Sequence, residues 1–207
     1  MNELHRTRRE FLRLLGLGAV SLAVPGLLKA SQRSTSRPNI ILIMADDLGY
    51  SDIGCYGGEI RTPNLDALAT GGLRFRQFYN CAKCNPTRAS LLTGQYDQAV
   101  GVKNMEYGAT FGEVLRAAGY RTIISGKWHQ QPLPTTRGFD RYYGLADGCC
   151  NYWNPGTKAR PGEGVPGQKT PAPRRWAIED KVIMGYTPDD KSFYTTDAFA
   201  NYAIERL

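Results

Sequence analysis

The sequence is poor in histidine and cysteine: His5 and His129 are its two imidazoles, and five cysteines stand in 207 residues. Five thiols are too few for a small disulfide-stapled scaffold. Cys81 and Cys84 form one C-x-x-C half-site, but zinc needs a second pair at suitable spacing, and Cys149 and Cys150 are adjacent. A thioredoxin-like redox site would need that pair to follow a strand and open a helix in a matching βαβ unit, and Cys84 has a stronger explanation below. No apolar run reaches the roughly 20 residues that cross a bilayer as a helix. Internal repeats are absent. An acidic excess is absent too: 26 Lys and Arg stand against 19 Asp and Glu, a net charge of +7. Residues 1–30 carry +3 of it, and much of the rest lies in one Pro/Gly-rich stretch. We therefore read no nucleic-acid partner from the charge.

What is present begins with Thr7-Arg8-Arg9-Glu10-Phe11-Leu12, a twin-arginine pattern, and a mildly apolar run from Leu14 to Leu28 broken by Gly16, Gly18 and Pro25. Residues 1–30 thus read as a twin-arginine-type signal segment, and 31–36 as a polar linker. The protein is expected to be exported by the twin-arginine machinery, to the periplasm or outside the cell. Leu28-Lys29-Ala30 matches a small-residue cleavage site poorly, so an uncleaved segment would anchor the protein to the membrane.

Residues 37–207 alternate strands and helices. Asn39 to Ala45 is continuously apolar and β-branched, the pattern of a strand buried on both faces. A short helix is predicted from Thr62-Pro63 to Ala69 with Gly71-Gly72 as its stop, then a half-exposed strand over 73–79. A helix follows from Pro86 to Leu92, stopped by Gly94. Phe111, Val114, Leu115 and Ala118 lie on one face of a helix over 110–118, and Tyr120 to Ser125 is the next strand. Residues 154–175 read as a long basic loop. The last segment, 192–207, is helical, with Phe199, Tyr202, Ala203, Ile204 and Leu207 in one stripe. The whole predicts an α/β domain with a mostly parallel sheet flanked by helices. Its unclosed last helix and thin sheet read as an incomplete domain.

In open α/β sheets ligands collect beyond the carboxyl ends of the strands. That rule brings together Asp46-Asp47, after the first predicted strand, and Lys127 and His129, after the third. Adjacent carboxylates suit a hard divalent cation, Ca²⁺ or Mg²⁺. Pro86 as a first helical residue sets Cys84 just before a helix N-terminus, where free N–H groups favour an anion. Arg88 adds a bidentate donor suited to a tetrahedral oxyanion. Together they describe an anion pocket holding a potential nucleophile. The simpler reading is an inert thiol and a surface arginine.

Cys84-Asn85-Pro86-Thr87-Arg88, with Leu92-Thr93-Gly94 behind it, resembles the maturation signature of the formylglycine-dependent sulfatases, of the alkaline phosphatase superfamily. Thr87 stands where their usual pattern has serine, keeping the hydroxyl. Arg37 to Tyr50, Thr62 to Ala69, Gly126-Lys127-Trp128-His129, Arg137-Gly138-Phe139-Asp140 and Phe193 to Asp197 are also similar to that family, in the same order. The resemblance implies hydrolysis of an organic sulfate, an aryl or carbohydrate ester. Cys84 would become formylglycine through a maturation enzyme, its hydrated form attacking sulfur. Asp46 and Asp47, with the residue at 84, would hold Ca²⁺ (Mg²⁺ being the less favoured ion). Arg88 would steady the diol and the metal site, Lys127 would contact the sulfate, and His129 would take a proton as sulfate leaves.

The family completes its metal site with an Asp-Asn pair and adds a second lysine and histidine further along. Neither an Asp-Asn pair nor a second histidine appears after His129, and Asp189-Asp190 lies too early, so these 207 residues alone are expected to turn over little. The superfamily's phosphodiester and phosphonate hydrolases are the alternative enzyme reading, and a non-catalytic product that binds sulfated glycans is the non-enzyme one. The basic loop with Lys158, Arg160, Lys169, Arg174 and Arg175, flanked by Trp153 and Trp176, is read as a solvated insertion in preference to a polysaccharide contact. Were Cys84 converted, the other four cysteines would suffice for two disulfides of unreadable connectivity.

Overall fold

The computed structural model describes residues 37–169 and 172–207; the signal segment and linker lie outside the described residues. Residues 37–45 form a unit apart from 46–207 and are described by themselves. They carry no strand, and Ile40 to Ile43 are exposed. The strand expected over Asn39–Ala45 is therefore not formed. A β-branched run becomes a strand only by pairing with a neighbour, and the four described strands pair only with one another.

In the second unit, α1 (Pro63–Gly71) starts with proline at its first position, as the sequence predicts. The strand expected over 73–79 is absent. The Phe75 carbonyl accepts from Tyr56 Oη and the Arg74 guanidinium donates to the Cys55 carbonyl. Side chains thus take up groups in this segment, and its aromatic residues stay exposed.

Helix α2 (Cys84–Thr93) buries Ala89 and Leu92 and ends at Gly94, in left-handed backbone. It begins two residues earlier than expected, so Cys84 is its first residue and Pro86 its third. Proline is tolerated there because the first-turn N–H groups have no helical acceptor. After α3 (Asp97–Val100) comes α4 (Phe111–Ala117), opened by a reciprocal cap. Glu113 N donates to Thr110 Oγ1 at 3.1 Å, and Thr110 N to Glu113 Oε2 at 2.7 Å.

The sheet runs β1 (Ile123–Ser125), β2 (Arg141–Leu145), β3 (Arg175–Ile178), β4 (Lys181–Met184) in that order. The fold is α/β, as expected. Its described sheet is mixed, with β1–β2 parallel and β2–β3 and β3–β4 antiparallel. The β3–β4 hairpin lies where the expected loop ends. Glu179 turns it with φ +57°, unusual for a residue with a side chain. Its carboxylate is held by Tyr142 N at 3.2 Å and Tyr202 Oη at 2.9 Å. Helix α5 (Thr195–Ile204) lies on β1 and β2, with Ser125 Oγ donating to the Phe199 carbonyl at 2.8 Å. Phe199 and Tyr202 pack on Tyr143 as the helical stripe predicts, while Ile204 and Leu207 are exposed.

The core joins α2, α3, β2 and β3 around Trp128, with Trp128 edge-on to Phe139 and Phe139 edge-on to Phe111. The Arg137–Asp140 motif is a structural clip here. Arg137 pairs with Glu113 at 2.9 Å and donates to the carbonyls of Asn104, Met105 and Gly108. Gly138, at φ +85°, passes so close to α4 that a Cβ would lie 2.2 Å from Glu113 N. Asp140 accepts from Thr122 N at 2.9 Å.

Candidate active site

Beyond β1 the chain keeps its pairing with the segment after β2: Trp128 N donates to the Leu145 carbonyl and His129 N to the Ala146 carbonyl, at 2.8 and 3.2 Å. Strand-like alternation therefore persists past the last strand residue. Gly126, Trp128 and Gln130 are buried, and Lys127 and His129 are half-buried. Trp128 anchors the segment in the core, so its neighbours are delivered to the sheet's carboxyl end.

Lys127 Nζ lies 2.7 Å from Asp46 Oδ2, and Arg88 Nη2 lies 3.9 Å from Asp46 Oδ1. Arg88, one turn into α2, also donates to the Lys127 carbonyl through Nη1. Asn85 Nδ2 donates to the His129 carbonyl, and Gln130 Nε2 donates back to the Asn85 carbonyl at 3.0 Å. The expected residues Asp46, Arg88 and Lys127 thus meet directly, and His129 is tied to the turn that bears Cys84. Asp47 is exposed, with φ +55°.

Cys84 is the first residue of a ten-residue helix, at the end where the macrodipole is positive. The Thr87 hydroxyl accepts from Cys81 N at 3.1 Å, a contact that a serine hydroxyl would also make. All five cysteines carry free thiols, and Cys81 Sγ faces Ser90 Oγ and Asp97 Oδ1. Burial pushes the Cys150 thiol up to about 12, which makes it a poor nucleophile.

Burial lowers the Arg88 guanidinium, against the attraction of Asp46 and Cys84. Burial likewise lowers the His129 imidazole, helped by the positive charges of Lys127 and Arg88. The neutral ring is thereby favoured. Two buried nitrogens here, Arg88 Nε and His129 Nδ1, have no protein partner. Buried polar groups are rarely left so, and this pair marks a place where a polar ligand would be bound. Adjacent carboxylates match a hard divalent cation in kind but not in number. Such ions take about six to eight oxygen ligands, and among the described residues no three His, Cys, Asp or Glu side chains converge on one point.

Sequence reasoning missed Asn85, Gln130 and Gly148. A Cβ on Gly148 would lie 2.5 Å from the His129 ring, so the backbone there walls the imidazole. Asn85 had a signal, standing beside Cys84. Gln130 and Gly148 had none, since their roles depend on pairing between distant segments. Among the described residues of the basic loop and its flanks, Arg160 is buried against Glu163, Arg175 pairs with Asp147 and Trp176 is buried, whereas Lys158, Lys169 and Trp153 are exposed.

Residues 38–205 match the sequence profile of the family described as Sulfatase. The chain is 34% identical to the arylsulfatase of Klebsiella aerogenes, over 88% of this chain and 41% of that protein. It is 46% identical to human arylsulfatase A over 52% of this chain and 25% of that one. Among solved structures it is similar to Ps i-CgsB at 32% identity and TM-score 0.65, covering 82% of this chain and 41% of the other. Ps i-CgsB has also been solved with k-i-k-neocarrahexaose. The chain therefore spans about two fifths or less of the length of these relatives.

Proposed function

The chain belongs to the sulfatase family, and from that premise we propose that it serves the hydrolysis of an organic sulfate ester, aryl or carbohydrate, with Cys84, converted to formylglycine, as nucleophile. One arrangement supports this above all: Cys84 at the N-terminus of α2, next to an Arg88 whose buried Nε has no protein partner. A helix N-terminus and a guanidinium together attract a tetrahedral oxyanion.

Each side chain then has a task. Arg88 and the first-turn N–H groups orient the sulfate. Lys127, now 2.7 Å from Asp46, has an ammonium to turn onto a sulfate oxygen. His129, kept neutral by burial and by its cationic neighbours, would accept the proton of the diol's other hydroxyl as the C–O bond to sulfate breaks and the aldehyde re-forms. Asp46, Asp47 and the oxygen at position 84 would hold part of a Ca²⁺ shell, and that ion would polarise the sulfate.

The arylsulfatase relatives support an aryl ester, and the Ps i-CgsB complex supports a carbohydrate one. We further propose that a maturation enzyme makes the conversion and that residues 1–30 direct twin-arginine export. The test is turnover of an aryl sulfate, a sulfated oligosaccharide and a phosphodiester by the protein from its own source. Sulfate release that is lost in Cys84→Ala is the expected result. Phosphodiester turnover without sulfate release would move the protein to the other hydrolases of the superfamily.

A further inference from the structure

We propose that Asn85 and Gln130 form a clasp that positions His129 against the N-terminal turn of α2. The task of His129 rests on the sulfatase reading; the clasp rests on geometry alone. Asn85 follows Cys84 directly, and its Nδ2 donates to the His129 carbonyl and, at 3.3 Å, to Gln130 Oε1. Gln130 answers from the other side, with Nε2 on the Asn85 carbonyl at 3.0 Å. Two amides, one on each segment, thus satisfy each other and each segment's backbone. Gln130 is 2% exposed, so a broken bond there would strand a buried polar group.

The clasp has a conformation to hold. His129 sits at φ +58°, which residues with a side chain seldom adopt without outside support. Its ring lies against Gly148, where no side chain would fit. The carbonyl held by Asn85 belongs to His129 itself, so releasing it frees the peptide that aims the ring. Arg88, bonded to the Lys127 carbonyl, restrains the same segment two residues earlier. Displacements of about 1 Å at a reacting group cost on the order of a hundredfold in rate. Hydrogen bonds that fix the imidazole relative to Cys84 are therefore positioning bonds.

The test uses Asn85→Ala, Gln130→Ala and their double variant in the full protein, with Thr110→Ala as a variant that loses the α4 cap away from the site. The first readout is the ¹⁵N ring resonances of His129, assigned by their loss in His129→Ala. The proposal expects both single variants to shift or broaden them, with Thr110→Ala leaving them in place. The second readout is kcat against KM per folded molecule. Each single variant should lose about tenfold or more in kcat with KM changed by less than about threefold, and the double should be little worse than either. Unmoved His129 resonances in both variants would overturn the clasp. Should the unaltered protein release no sulfate from any ester, the function falls and the resonances alone decide the clasp.

Discussion

Lys127 Nζ and Asp46 Oδ2 lie 2.7 Å apart, joining residues 81 positions distant in the chain. The pair sets an ammonium on a carboxylate that is also a proposed metal ligand. The two uses compete, because an oxygen that binds a cation loses much of its attraction for a neighbouring ammonium. Lys127→Met should therefore bind Ca²⁺ more tightly, by up to about fivefold, the equivalent of ~1 kcal/mol for a half-exposed ion pair. It should lose about a hundredfold or more in turnover. Calorimetric Ca²⁺ titration of both proteins checks the first half; weaker binding by the variant would remove Asp46 from the metal site.

His129 supplies a pH dependence whose sign follows from its lowered value. The unfolded chain, near the usual 6.5, takes up a proton before the folded one does. Stability should therefore be unaffected by this group at higher pH and should fall as pH drops below that value, levelling off below the folded value. Denaturant unfolding across that window should show a slope that disappears in His129→Gln. An unchanged slope would mean that the ring is not held neutral.

Gly148→Ala tests the wall behind the imidazole. A Cβ there meets the ring at 2.5 Å, so the ring must turn or the loop must shift. Turnover should fall by about tenfold or more, with most of the folding stability kept. The matched measurement is kcat beside the melting temperature, and full activity would show that the ring is free to move.

The cap of α4 carries a second pH prediction. Hydrogen bonding to Arg137, then to Thr110, holds Glu113 below its usual 4.5. Its contribution is present above that value and lost as pH falls through the lower folded one. Glu113→Gln should cost on the order of 1 kcal/mol at neutral pH and flatten the acid limb of unfolding. A parallel acid limb in wild type and variant would contradict it.

What the sequence made legible was local. Pro63 announces a helix start and Gly94 a helix stop, because each acts on its own turn of backbone, whereas the reciprocal cap of Thr110 and Glu113 emerged only in the structure. Cys84, Arg88, Lys127 and His129 were singled out by helix-start and strand-end position together with the sulfatase resemblance, and the structure brings Arg88 and Lys127 together at Asp46. Asn39–Ala45 and 73–79 misled because apolar content records a preference for pairing, whereas a strand exists only with a neighbour. The β3–β4 hairpin was hidden by the prolines and glycines before it, and its turn uses Glu179 at positive φ where glycine or asparagine is usual. The Asn85–Gln130 clasp could not be read from either residue, since it exists only once α2 and the segment after β1 are brought together.

The central claim is that Cys84 is the converted nucleophile of a sulfate hydrolase, and one measurement reaches it directly: the mass of the peptide spanning Cys84, from the protein purified from its own source. The account predicts a peptide lighter than the encoded one, its side chain having lost sulfur and two hydrogens and gained one oxygen, and reactive toward an aldehyde reagent. A peptide carrying an intact thiol in protein that releases sulfate would contradict it.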